Sequence, residues 1–458
     1  MRRVFLWLLL LCGLDANAQN EDSVFIRHIA NDVLSGGKAY DNLRILCKTV
    51  GARLSGSAGM YKAEAWGEQT LKAMGADKVY TQECMVPHWE RGGKDEAEVT
   101  YKNEQGKITK MPLDILALGN SIGSGKNGVK APVILINNYD ELEKQKDNIK
   151  GKIVFYNYPF NPTYVNTFQA YSESGAYRRS GPSRAAKYGA VGVLIRSMSQ
   201  STDNNPHTGS TTYDSAYPKI PCAAMGLKDA DQLSALLTKG VQAELMLKTN
   251  AYFLPDTIGH NIVGELTGTV FPDEIITVGG HLDSWDPAEG AHDDGAGVVH
   301  SIEVLRVLKA LGYKPKRTIR VVLFANEENG LRGGMKYAAL AKEKNEKHIF
   351  ALESDDGGFT PRGFGFTCKK EQFQKVKQWL PLFAPYHVFE FNEGGGGADI
   401  GPLAKLGVPI AGFVPDEQRY FDYHHARNDV LENVNKRELE MGALNIAALI
   451  YLVDKYGF

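Results

Sequence analysis

From Val24 to about Gly75 apolar residues recur at helical spacing, broken near Gly36 and Gly51, with a long amphipathic stretch over Ala58–Met74. The texture changes near Met111. Val133–Asn137, Lys152–Tyr156 and Val191–Ile195 are short β-branched runs, and Ala243, Leu245 and Leu247 alternate with polar neighbours as a half-buried strand does. Between these runs, Asn161–Gly181 is polar, aromatic and glycine-punctuated, and reads as a long surface excursion. After Asn250 the chain alternates regularly. Ile275–Val278, Thr318–Phe324, His348–Leu352 and Pro409–Phe413 are predicted strands, Val298–Leu311 an amphipathic helix, and Arg437–Tyr456 a long closing helix. Such alternation predicts an α/β fold: a mostly parallel mixed sheet with helices on both faces, carrying an inserted β-rich domain. The predicted division is 19–110 and 251–458 for the main α/β domain and 111–250 for the insertion.

Composition narrows the partners. With 52 Lys and Arg against 54 Asp and Glu, and no long basic run, the chain offers no electrostatic footprint for nucleic acid. No window reaches the length of a membrane span. Arg2 and Arg3, the apolar run Val4–Leu11 and Ala16-Asn17-Ala18 read as a signal peptide over 1–18, so an exported protein, periplasmic or secreted, is expected. Beyond the leader, Cys47, Cys84, Cys222 and Cys368 form no C-x-x-C pair and fit buried free thiols at least as well as disulfides.

In this type of sheet, ligands bind beyond the carboxyl ends of the strands. After the first predicted strand of the final block stands Gly279-Gly280-His281-Leu282-Asp283-Ser284-Trp285, then Gly290-Ala291-His292-Asp293-Asp294-Gly295 before the helix. Glu327-Glu328 follows the second strand, Glu353-Ser354-Asp355-Asp356 the third, and His424-His425-Ala426-Arg427-Asn428-Asp429 the last. Each motif alone reads as an ordinary turn or an acidic first helical turn. Together they bring imidazoles and carboxylates to one rim, a donor set for zinc or a similar divalent ion. Two neighbouring cations repel, so they require a shared carboxylate, and one further carboxylate must stay off the metals to take a proton from water. Adjacent Glu327 and Glu328 can supply a base and a ligand. At this point His424 competes with His425, and Glu353 with Asp355. Asn392–Asp399 is glycine-rich without a following Gly-Lys-Ser/Thr, and reads as a pocket rim rather than a phosphate loop. Ser55 and Ser284 lack triad partners.

The order His281, Asp293, Glu327-Glu328, Asp355, His425 resembles the co-catalytic zinc exopeptidases, especially their carboxypeptidase Q-like branch. His-Leu-Asp-Ser-Trp-Asp before Gly-Ala-x-Asp-Asp-Gly-Ala-Gly carries the resemblance, as does Pro87-His88-Trp89-Glu90-Arg91-Gly92. Ile149-Lys150-Gly151-Lys152-Ile153-Val154 and Ala186–Val193 resemble a protease-associated domain, and the resemblance covers nearly the whole chain after the leader. It implies two Zn2+ per chain, with Asp293 bridging, His281 and Asp355 on one ion, and Glu328 and His425 on the other. It implies Glu327 as general base, Asp283 as the carboxylate orienting the His281 imidazole, and a cis peptide between Asp293 and Asp294. His425 is favoured over His424 because Asp429 follows it by the family's spacing. The implied substrates are short peptides, dipeptides or N-terminal residues, and the insertion is expected to shape access and to bear on oligomerisation, a homodimer being the candidate assembly. Two readings compete: a single-zinc enzyme like glutaminyl cyclase, against which His281 argues, and a non-catalytic peptide-binding protein, against which the complete ligand set argues.

Overall fold

The computed structural model describes residues 20–458, so the leader expected at 1–18 lies outside them. Two eight-stranded sheets organise the chain. In the first, the strands run in the order Lys78–Glu90, Tyr252–Leu266, Arg317–Phe324, Phe271–His281, Lys347–Glu353, Ile410–Pro415, Pro361–Thr367 and Glu390–Glu393. Its four central strands, Arg317–Phe324 to Ile410–Pro415, are parallel neighbours. Antiparallel strands flank them, which makes the sheet mixed.

The centre of this sheet reads as near-continuous apolar sequence because helices cover both of its faces. Ile276, Val278, Val321 and Leu323 are fully buried in one core with Val298, Ile302 and Leu305 of the helix Ala296–Ala310 and with Ala447 and Ile450 of the helix Lys436–Tyr456. Val263, Val322, Phe324 and Ala351 point the other way, into a second core with Tyr337 and Ala338 of the helix Arg332–Glu343. No helix among the described residues is long and apolar enough to cross a membrane. The cysteines Cys47, Cys84, Cys222 and Cys368 are free, the first three buried.

The second sheet has the order Ile108–Leu113, Glu96–Lys102, Ala243–Lys248, Val129–Ile136, Ile153–Tyr156, Gly192–Arg196, Cys222–Met225 and Ile115–Ala117. It begins at Glu96, earlier than the expected opening at Met111. Ala97 and Val99 bury their side chains in this sheet's core, and Glu96–Tyr101 pairs antiparallel with Ala243–Lys248, so the chain has left the first sheet by then. Asn161–Gly181 also departs from expectation. It holds a helix, Thr167–Arg179, started by the Asn166 side chain accepting from the Gln169 amide. Its polar sequence hides an aromatic seam: Tyr177 stacks between Tyr139 and Tyr158 at centroid distances of 4.3 and 4.4 Å. The two units meet tightly. A Cβ on Gly119 of the inserted unit would lie 1.7 Å from the Trp285 ring, and Arg91 joins both carboxylate oxygens of Asp286 (2.6 Å each) to the carbonyl of Ala117 (2.7 Å).

One buried acid sets a pH dependence away from the site. Glu303, on the helix Ala296–Ala310, accepts from the Lys38 amide (3.0 Å) and Arg306 Nε (2.7 Å), yet burial pushes its carboxyl from 4.5 to about 7. Since folding raises this value, the acid's contribution to stability is full below 4.5 and is lost as pH rises through about 7, a change of about 3 kcal/mol. Thermal unfolding of wild type and Glu303→Gln at about pH 5 and pH 8 checks this: wild type loses more stability across the interval than the variant. Equal losses would refute the assignment.

Candidate metal centre

The central parallel strands end on one rim, and each contributes. His281 is the last residue of its strand. Glu327 and Glu328 open a short turn after Arg317–Phe324, entered through Asn326 in the left-handed region (φ 63°). Asp355 lies just past Lys347–Glu353, and His424 and His425 follow the strand Ile410–Pro415 after the turn Tyr420–Tyr423. Asp293 stands between, in the tight turn Ala291–Gly295 that opens the next helix, and its peptide bond to Asp294 is cis.

Asp293 is the hub. Its Oδ1 is 3.2 Å from His281 Nε2, and its Oδ2 is 3.3 Å from His425 Nε2. His281 Nε2 also meets Asp355 Oδ1 at 3.1 Å, and His425 Nε2 meets Glu328 Oε2 at 3.1 Å. The structure thus brings all five expected ligands together in two groups sharing one carboxylate. Glu327 stands beside them half-buried, with no hydrogen bond to its carboxylate among the described residues. His424 is close too, its Nε2 3.7 Å from Asp293 Oδ2, and its ring stacks on His425 at 3.5 Å.

Burial opposes charge on Asp293, but the imidazoles of His281 and His425 outweigh it and hold this carboxyl well below the usual range. Burial pushes Glu327 well above that range, with Asp355, Glu328 and Asp283 adding to the shift, and burial together with Asp293 pushes Glu328 up to about 7. Burial disfavours the His425 imidazolium, yet Glu328 and Asp293 raise its value to about 10. Asp293, Glu328 and Asp355 have imidazoles as their nearest partners, with Glu327 and Asp283 beside them, and a cluster so rich in carboxylates suits cations well. The sharpest indication is Asp293 Oδ2, which is buried and accepts no well-directed hydrogen bond.

The surrounding loops are tied down. Arg53, fully buried, donates from Nε to the Leu282 carbonyl (2.5 Å), from Nη2 to the Gly290 carbonyl (2.8 Å), and from Nη1 to that of Glu289. Asp429 accepts from the amides of His292 (2.7 Å) and Asp293 (3.1 Å), and Asp294 from those of His281 (3.0 Å) and Gly297 (2.9 Å). Asp283 stands behind the His281 imidazole. The His281 Nδ1 partner is the backbone carbonyl of Asp283 at 3.0 Å, whereas the Asp283 carboxylate is 3.8 Å away. That carboxylate instead accepts from the Glu327 (3.0 Å) and Glu328 (3.3 Å) amides, which the left-handed turn at Asn326 leaves without helical partners.

His292 is a core residue stacked on Phe359 at 4.2 Å, with both ring nitrogens in hydrogen bonds. In the glycine run, Gly394 is exposed with nothing near its Cβ position, a Cβ on Gly395 would sit 2.8 Å from the Gly365 backbone, and a Cβ on Gly397 would sit 2.2 Å from the Glu353 side chain, so part of the run is open and part is held by close contact. Sequence reasoning expected the insertion to shape access, with residues of its Asn161–Gly181 stretch reaching over the cleft, but it did not single out Tyr171 and Arg178 there or the segment His207–Gly209. Arg178 Nη1 is 3.3 Å from His425 Nδ1, and Tyr171 meets the His424 ring edge-on at 4.9 Å. No spacing rule connects such residues, which lie more than two hundred positions from His425.

Comparison with known proteins agrees with this geometry. Residues 261–450 match the model of peptidase family M28. Carboxypeptidase Q of Homo sapiens is 37% identical over 419 residues, covering 92% of this chain and 84% of that protein. The crystal structure of a peptidase M28 precursor from Shewanella amazonensis superposes with a TM-score of 0.89 at 31% identity, over 95% of this chain and 97% of that one. A zinc aminopeptidase of Bacillus subtilis shares the fold, with a TM-score of 0.65 at 20% identity over 92% of this chain and 95% of that one. With the strand-end cluster and these matches in agreement, the chain belongs to peptidase family M28, as a metallo-exopeptidase related to carboxypeptidase Q.

Proposed function

We propose that the protein is an exported di-zinc exopeptidase that hydrolyses short peptides, dipeptides or N-terminal residues, with Glu327 as general base. One observation carries this reading: the Asp293 carboxylate lies between two imidazoles, each with its own second carboxylate, while the Glu327 carboxylate beside them is unengaged. His281 and Asp355 would hold one zinc and Glu328 and His425 the other, with Asp293 shared. Zinc bound there would polarise the scissile carbonyl and make a water more acidic. Glu327, raised in basicity by its buried surroundings, takes a proton from the attacking water and later delivers one to the leaving amine. Asp283 holds the Glu327 and Glu328 amides, so base and ligand stay in fixed relation.

The inserted unit is read as a protease-associated domain that narrows access, which the Tyr171 contact with His424 supports. Export rests on the leader sequence alone. A homodimer is the candidate assembly, and the directly paired Met85 and Ile258, 53% and 45% exposed on the strands Lys78–Glu90 and Tyr252–Leu266, offer apolar surface for it.

The test is purified protein against free, N-blocked and C-blocked dipeptides, before and after chelation. Cleavage of free dipeptides that stops on chelation and returns with zinc is expected. Activity indifferent to chelation would refute the metal reading, and cyclisation of N-terminal glutamine without hydrolysis would transfer the protein to the cyclase class.

A further inference from the structure

The turn carrying His424 and His425 is gripped by the inserted unit. His425 occupies the left-handed region (φ 61°), which a residue with a Cβ holds only when its surroundings impose it. His207 Nδ1 meets the His424 carbonyl at 2.7 Å, and the Thr208 amide donates to the His425 carbonyl at 2.9 Å. The Thr208 carbonyl in turn lies 3.2 Å from His425 Nδ1. With the Nδ1 proton accepted there and Arg178 Nη1 donating to the same carbonyl (3.4 Å), a neutral His425 would present the lone pair of Nε2 on the side facing Asp293 and Glu328.

The gripping segment is itself fixed in the second sheet. The His207 amide donates to Ser197 Oγ (2.9 Å), Thr208 Oγ1 to the Ala117 carbonyl (2.8 Å), and the Gly119 amide to the Gly209 carbonyl (2.9 Å). Gly209 has φ 123°, and a Cβ there would lie 2.5 Å from Arg178 Nη1 and 2.6 Å from His425 Nδ1. Only glycine lets the segment approach the imidazole this closely.

We propose that the inserted unit is a working part of the metal centre: His207, Thr208 and Gly209 are positioning residues that set the backbone and ring of His425 and thereby the affinity of one of the two metal positions. This rests on His425 being a ligand. The unit contributes no ligand atom, yet the position shared by Glu328 and His425 depends on it, whereas the position shared by His281 and Asp355 does not.

The experiment is stepwise zinc titration against a competing chelator, with the unfolding midpoint of the zinc-free protein measured alongside. Gly209→Ala and His207→Ala are expected to weaken one zinc-binding step by about 10–100-fold, the usual effect of losing an outer partner of a ligand, and to leave the other step near wild type, while the zinc-free midpoint falls in both because a Cβ at Gly209 is strained and His207 is buried. His207→Asn, whose amide nitrogen takes about the place of Nδ1, should recover most of the loss. Two unchanged steps in both alanine variants would overturn the proposal. Should Gly209→Ala fail to fold, the His207 pair decides: equal zinc affinity in the alanine and asparagine variants overturns it. His425→Ala separates the two layers. If it loses one zinc while the His207 and Gly209 variants lose none, the clamp is wrong and the ligand stands. If it keeps both, the ligand assignment fails and the clamp with it.

Discussion

Glu327→Gln is expected to retain its zinc and to lose turnover by about 10²–10⁴-fold, the range for removing a positioned general base. The side chain keeps its shape, and the backbone amide of residue 327 still donates to Asp283, so neither the turn nor the neighbouring ligand should move. Glu328→Gln is the contrasting case. Its carboxylate faces His425 Nε2 at 3.1 Å, and an amide is a poor replacement for an anionic ligand. That variant should lose one metal and regain part of its activity in excess zinc. Metal analysis beside kcat tells them apart; zinc loss with near-normal turnover in Glu327→Gln would reverse the two roles.

Asp293→Asn should have the broadest effect, because this carboxylate faces both imidazoles. Its amide remains tied to Asp429, so the loop is expected to keep its course while both metal positions lose their shared anion. Zinc should be stripped from both by dialysis, with activity down by about 10³-fold or more. Wild type should gain about 4 kcal/mol of stability for each site at which zinc stands a thousandfold above its dissociation constant, and this gain should be largely absent in the variant. A variant whose unfolding midpoint responds to zinc as wild type does would exclude Asp293 as the bridge.

The second half of the chain was legible because its elements are local. Buried parallel strands announce themselves as β-branched runs, and the residues just beyond them fall on the rim whatever the details of packing. His281, Asp293, Glu328, Asp355 and His425 are therefore where sequence order put them. The failures involve contacts between distant segments. Glu96–Lys102 alternates polar residues with Ala97, Val99 and Tyr101 as a strand does, but that it belongs to the second sheet is decided by Ala243–Lys248 lying beside it. The polar stretch after Asn161 became a helix through stacking of Tyr177 on Tyr139 and Tyr158. Asp283 was placed two residues from His281 correctly, but whether its carbonyl or its carboxylate meets the imidazole depends on which amides a later turn leaves unpaired.

The strands flanking the insertion pair directly, with Glu90 opposite Tyr252. To the first sheet, the whole inserted unit is therefore the connection of a single antiparallel hairpin. Closing that connection as an open coil would carry the entropy of a very long loop, whereas a unit already folded, with its entry and exit side by side, reduces closure to that of a short turn. The favoured order of folding is then the insertion first and the outer hairpin of the catalytic sheet second, so that the nascent chain finishes its interior before completing the frame around it.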